Sequence, residues 1–168
     1  MKQINLKWFR PYKFLDLVED SKQSLYFFDE KYPELKEWGF YMFVDPFRIV
    51  DIGQAAGKGH SLRTRLKNEI SNNSTFHKDL IDIKVNTASL LLKVAILTKA
   101  TVDGKPMQLI DPYDIEFALI CKGNPRIEKH GIKHYRRESI EITNEGDCSP
   151  LPPIFKIMKG QKCYTDPL

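Results

Sequence analysis

An α+β domain is the fold class that this sequence predicts, and three observations carry the expectation. Two short β-favouring runs, 39–44 and 48–52, flank Asp45-Pro46, which reads as a hairpin turn. Helices are predicted at 61–70 and 112–122, on either side of a buried strand at 90–98. Both helices carry start signals. Ser61 is an N-cap with Leu62, Leu66 and Ile70 along one face, and Asp111-Pro112 places a capping carboxylate before a first-turn proline. Gly123-Asn124-Pro125 ends the second helix.

The flanks are read from the same signals. Phe14, Leu15 and Val18, then Leu25, Tyr26 and Phe28, recur at loosely helical spacing until Tyr32-Pro33 breaks the pattern. Residues 71–74 and 102–105 read as a loop and a turn. The last forty residues hold a basic patch (Lys129, His130, Lys133, His134, Arg136, Arg137), a strand at 139–142 and a turn rich in proline at Pro150, Pro152 and Pro153. One domain is expected: an N-terminal helical extension 1–37, a core 38–128 and a basic C-terminal extension 129–168.

Composition excludes several classes. At 168 residues the chain buries a core without needing disulfides or a structural metal. A formal charge of +4 permits nucleic-acid contact without arguing for it. Cys121, Cys148 and Cys163 are widely spaced and show no metal-binding cadence, so reduced thiols in a cytoplasmic protein are expected. Residues 1–7 lack the apolar stretch of a signal peptide, and the apolar run 88–97 contains Lys93 and is too short to span a bilayer.

Chemistry-bearing groups gather on the expected core. A turn centred on Pro46 sets Tyr41 opposite Asp51, with Cβ atoms about 5 Å apart, and Phe43 opposite Ile49. Glu116 is one carboxylate on a largely apolar helix, either a ligand or a half-exposed rim residue. The loop 53–60 superficially suggests a phosphate-binding loop. It is one residue short, however, and Gly59 stands where Ser or Thr must reach magnesium, which excludes an NTPase. The loop still brings Lys58 and His60 to the start of a helix whose amides favour anions. Arg63, Arg65 and Lys67 follow as a basic run. His130 and His134, with Gly131 between them, make a poor metal pair.

The order of these fragments resembles the GIY-YIG nucleases from Trp38 to about Glu128. Gly39-Phe40-Tyr41 and Asp51-Ile52-Gly53 match the two triplets, Arg65-Leu66 the arginine helix, and Leu91 to Leu97 the later strand. Glu116-Phe117-Ala118-Leu119-Ile120, followed by Pro125, matches the glutamate helix. The departures are Asp51 in place of the second tyrosine, an insertion near 57–60, Glu69 one turn after the arginine, and Glu128 where the family has asparagine.

The resemblance implies a small three-stranded antiparallel sheet flanked by helices, and a DNA endonuclease of restriction type. By that likeness Glu116 binds Mg2+ (or Mn2+), Arg65 steadies the phosphate, and Tyr41 is the phenol that helps activate the attacking water, either with its pKa lowered by nearby cations or by passing its proton through water. Asp51 accepts its proton or assists the metal, and His60 or His77 supplies an imidazole. Lys58, His60, Arg63, Arg136 and Arg137 are the expected nucleic-acid contacts, DNA the partner, and a homodimer the assembly. The alternative is an impaired relative that binds nucleic acid or protein without cutting, with Asp51 or Glu128 paired to Arg65.

Overall fold

Ile4, Leu6 and Trp8 turn inward along 2–8 while Gln3 and Lys7 face water, the period-two alternation of a half-buried strand. That strand, β1 (Lys2–Trp8), opens the computed structural model, which describes residues 1–57, 59–127 and 134–163. The short β2 (Tyr12–Lys13), α1 (Phe14–Asp20), α2 (Leu25–Lys31) and a 3-10 turn at Pro33–Lys36 follow. The hairpin β3 (Gly39–Asp45) and β4 (Arg48–Ala55) leads into α3 (Leu62–Glu69) and α4 (Thr75–Asp82). Then come β5 (Leu91–Val102), β6 (Lys105–Pro106), α5 (Pro112–Gly123), β7 (Ile140–Gly146) and β8 (Ile154–Ile157).

All eight strands join one sheet in the order β4-β3-β5-β1-β7-β8, with β2 and β6 also on β5. It is mixed, because β1 runs parallel to β7, and it curls into a half-barrel. The expected small three-stranded antiparallel sheet is thereby corrected. Strands β4-β3-β5 exist, but only as part of the larger sheet. β5 is long enough to pair with β3 through Leu91–Ala95 and with β1 through Ala95–Val102. The first segment, read as a helical extension, therefore contributes a central strand. Its outward lysines obscured the alternation of Ile4, Leu6 and Trp8.

The sheet separates two cores. Phe40, Met42 and Val44 of β3 pack with Ile115 and Leu119 of α5 on one face. Tyr41 and Phe43 pack on the other face with Leu17, Phe28, Leu62, Leu66 and Phe76 from α1 to α4. Helix α4, for which the sequence reading had no element, is capped by Ser74, whose hydroxyl accepts from the His77 N–H.

The chain ends buttress α5. Lys2 of β1 donates to the buried Asp114, and the Tyr135 hydroxyl donates to the Asp114 carbonyl at 3.3 Å. Cys121 and Cys163 form a disulfide across 42 residues, correcting the expectation of reduced thiols; Cys148 alone is free and buried. Irregular spacing concealed the pair because only the folded chain brings the C-terminal segment against the end of α5. Among the described residues no helix is long and apolar enough to cross a membrane.

Candidate active site

Hairpin register decides which groups meet. The turn Pro46-Phe47 sets Asp45 opposite Arg48 and Val44 opposite Ile49, and then Val50 is an extra residue in β4. Tyr41 consequently faces Gly53, and Phe43 faces Asp51, which corrects the expected Tyr41–Asp51 and Phe43–Ile49 pairs. Asp51 stays on the Tyr41 face at a diagonal position. Gly53 suits this register: a Cβ there would collide with the ring and hydroxyl of Tyr41.

Ser61 caps α3 by accepting from the Thr64 N–H at 3.2 Å, while Leu62 and Leu66 anchor the helix in the core. This leaves Arg65 on the flank. Its Nε donates to the Tyr41 hydroxyl at 3.2 Å, and its Nη2 pairs with Glu69 at 2.8 Å. Partial burial pulls the Arg65 pKa down, but Tyr41, Glu69 and Asp51 outweigh it, and the guanidinium stays firmly charged. The carboxylate that pairs with Arg65 is thus Glu69, one helical turn on.

Tyr41 is only 1 % exposed. Burial drives its pKa upward, and Asp51 and Glu69 push the same way against the opposing Arg65 guanidinium. The expected lowering by nearby cations is corrected: Tyr41 is a neutral phenol that accepts from Arg65. Asp51, 4 % exposed, accepts from the Ile52 N–H at 2.9 Å.

At the end of β4, Gln54, Ala55, Ala56, His60, Arg65, Tyr113 and Glu116 line a cleft of about 300 Å³. It straddles the edge of the sheet, so helices from opposite faces contribute, Arg65 from α3 and Glu116 from α5. Tyr41 and Asp51 lie beneath this lining rather than in it. His60 is exposed at the cleft, and its N–H donates to the Gly57 carbonyl at 3.2 Å. Glu116 is half-buried.

The remaining expected contacts lie apart from the cleft. Arg63 is committed to both carboxylate oxygens of Asp29, at 2.8 and 2.6 Å, and Lys67 sits over the Phe28 ring. The basic run of α3 therefore serves mainly to bind α2. Arg137 pairs with Asp111 and Asp114 and covers the Phe117 ring at 5.5 Å, while Arg136 is exposed. His77 is on α4, outside the cleft lining. Lys58, Glu128, Lys129, His130 and Lys133 lie outside the described residues.

Two lining residues with polar side chains escaped the sequence reading. Gln54 directly follows Asp51-Ile52-Gly53, and its Oε1 is buried without a hydrogen-bond partner among the described residues. Tyr113 lies three residues before Glu116, the spacing that puts two side chains on one helix face, and this was its available signal.

Among the described residues no group of three or more His, Cys, Asp or Glu forms a ready cation cage. The cleft offers one carboxylate, Glu116, as a cation ligand. That donor set fits a magnesium-like ion, which keeps waters and substrate oxygens as its other ligands, and does not fit structural zinc. No family model, no curated protein and no solved structure matches the chain, so the functional reading rests on the cleft.

Proposed function

We propose that this chain is a metal-dependent endonuclease that hydrolyses DNA phosphodiester bonds in the manner of the GIY-YIG nucleases it resembles. One observation carries the reading: Arg65 and Glu116, from helices on opposite faces of the sheet, line one cleft together with His60. A guanidinium, a carboxylate and an imidazole around a small polar cleft match the needs of phosphodiester hydrolysis.

Arg65 binds the scissile phosphate and offsets charge that develops on it. Tyr41 and Glu69 hold its guanidinium at Nε and Nη2, so the donor fork is oriented before substrate arrives. Tyr41 is a positioning residue in this scheme. His60 places an imidazole in the lining, a group that can accept the proton of an attacking water. Glu116 would hold Mg2+ or Mn2+, which when bound polarises a phosphate oxygen as a Lewis acid. Two copies, each with one cleft, would cut the two strands of a duplex.

A second reading has its own support. Glu69 neutralises Arg65 and Asp29 neutralises Arg63, which suits an impaired relative that binds nucleic acid without cutting it. Incubating supercoiled plasmid with Mg2+ or Mn2+, wild type beside Glu116→Ala, separates the two. Cutting that disappears in the variant supports the nuclease. Retention of DNA in a gel shift without any cutting supports the binding module.

A further inference from the structure

Tyr113 is 50 % exposed, in the first turn of α5, on the lining of the cleft. Its backbone is held by two start signals: Asp111 accepts from the Tyr113 N–H at 3.0 Å, and Pro112 precedes it. The ring is held as well. Phe117 lies one turn on with ring centroids 5.8 Å apart, and Phe117 is itself covered by Arg137, which Asp111 and Asp114 retain. The result is a buttressed aromatic surface at the rim of a cleft whose other side chains, the two alanines apart, are polar. A tyrosine needed only for packing would bury its ring; this one leaves half of its surface in water.

From these placements we infer that Tyr113 is a stacking platform for an unpaired nucleobase whose adjoining phosphate lies on Arg65. The inference rests on the reading that the cleft receives a phosphodiester, and it extends that reading to a class of substrate: DNA whose base next to the cut is single-stranded or extruded. A nucleobase satisfies both halves of the site. Its face stacks on an aromatic ring without regard to sequence. Its edge offers N–H donors, and Gln54, whose buried amide oxygen has no partner among the described residues, stands in the lining where a small side-chain rotation would present that oxygen. An extruded base pays unstacking energy, which the platform returns.

The test is the affinity of a short fluorescein-labelled single-stranded oligodeoxynucleotide, measured by anisotropy in EDTA so that no cutting occurs. Wild type is compared with Tyr113→Phe, Tyr113→Leu and Tyr113→Ala. Stacking predicts that Phe binds as wild type does, while Ala and Leu bind about 10-fold more weakly or worse. The leucine variant keeps apolar cover on Phe117 and so guards against a folding artefact. Equal binding by all four proteins overturns the inference. So does a Phe variant as weak as Ala, which would assign the effect to the hydroxyl. Cleavage in Mg2+ separates the two levels. Cutting that depends on Glu116 but ignores Tyr113→Ala leaves the nuclease standing without the platform. Binding that depends on Tyr113 with no cutting leaves the platform without the nuclease, and a wild type that binds no oligonucleotide overturns the platform while plasmid cutting still decides the nuclease.

Discussion

At the β4 edge of the sheet, a tight hairpin and a helix capped by its own Ser61 bring Arg65 to Tyr41 across 24 residues. On the far side, β1 lies parallel to β7, and Trp8 donates to Asn144 at 2.9 Å across 136 residues. The first region assembles from neighbours in sequence, and the second only when the two ends of the chain meet. Yet the second supports the first. α5, which carries Glu116 to the cleft, is tied by Lys2, Tyr135 and Cys163, all from outside the hairpin region. The lesson is a division of labour in which local structure positions the Arg65 guanidinium and distant structure positions the Glu116 carboxylate on the same cleft.

The largest expected effect lies at the cleft itself. Glu116→Ala should lower plasmid cleavage about 10²- to 10³-fold while leaving the thermal midpoint nearly unchanged. Arg65→Ala should lower cleavage as far with a small loss of midpoint, because the buried Tyr41 hydroxyl loses its donor. A matching fall in midpoint would mean that these groups hold the fold instead. Breaking the distant region should do the reverse. Cys163→Ser frees a 42-residue closure, worth about 4 kcal/mol on a chain-entropy estimate, so the urea midpoint should drop while folded protein still cuts. If cleavage fell as far as in Glu116→Ala with stability intact, the two regions would not be separable.

Gly53→Ala sharpens the comparison within the local region. The added methyl meets the Tyr41 ring, so a loss of about 1–3 kcal/mol is expected from denaturant titration. A neutral result would contradict the register. Tyr41→Phe is the mildest change, since it removes one hydrogen bond that orients Arg65. About 10-fold lower turnover is expected, from an oriented hydrogen bond to a charged group worth about 1.5–3 kcal/mol at most. A loss as large as that of Arg65→Ala would restore the phenol to a direct chemical role.

The same variant reports on pH. A phenol held protonated by burial contributes its full stability below the ordinary tyrosine range, then loses it as pH climbs from about 10 toward the raised folded value. Wild type should therefore lose urea resistance more steeply than Tyr41→Phe above about pH 10. Parallel curves would show that burial does not hold the proton there.

Much of the local architecture was legible in the residues. Asp45-Pro46, Ser61 and Asp111-Pro112 act on their immediate neighbours: β3 ends at Asp45, and helices begin at Leu62 and Pro112. Arg65 was legible because Leu62 and Leu66 must face the core, which leaves it on the flank. Helix α4 was less so, since Ser74 looks like one more residue of a polar loop until Phe76 and Leu80 find the Phe43 side of the sheet.

By itself, then, the sequence determined the hairpin, the helices capped by Ser61 and Asp111, and three of the groups at the cleft, His60, Arg65 and Glu116, because propensity, capping and turn chemistry operate over a few residues. Tertiary structure alone decided the Val50 bulge that moves Tyr41 opposite Gly53 and the burial that keeps Tyr41 protonated. It also decided the commitment of Arg63 to Asp29, the Cys121–Cys163 bond and the strands that enlarge the sheet. Each of these depends on which distant segments share a surface. Burial, charge and pairing are properties of that shared surface, and no short window of residues contains it.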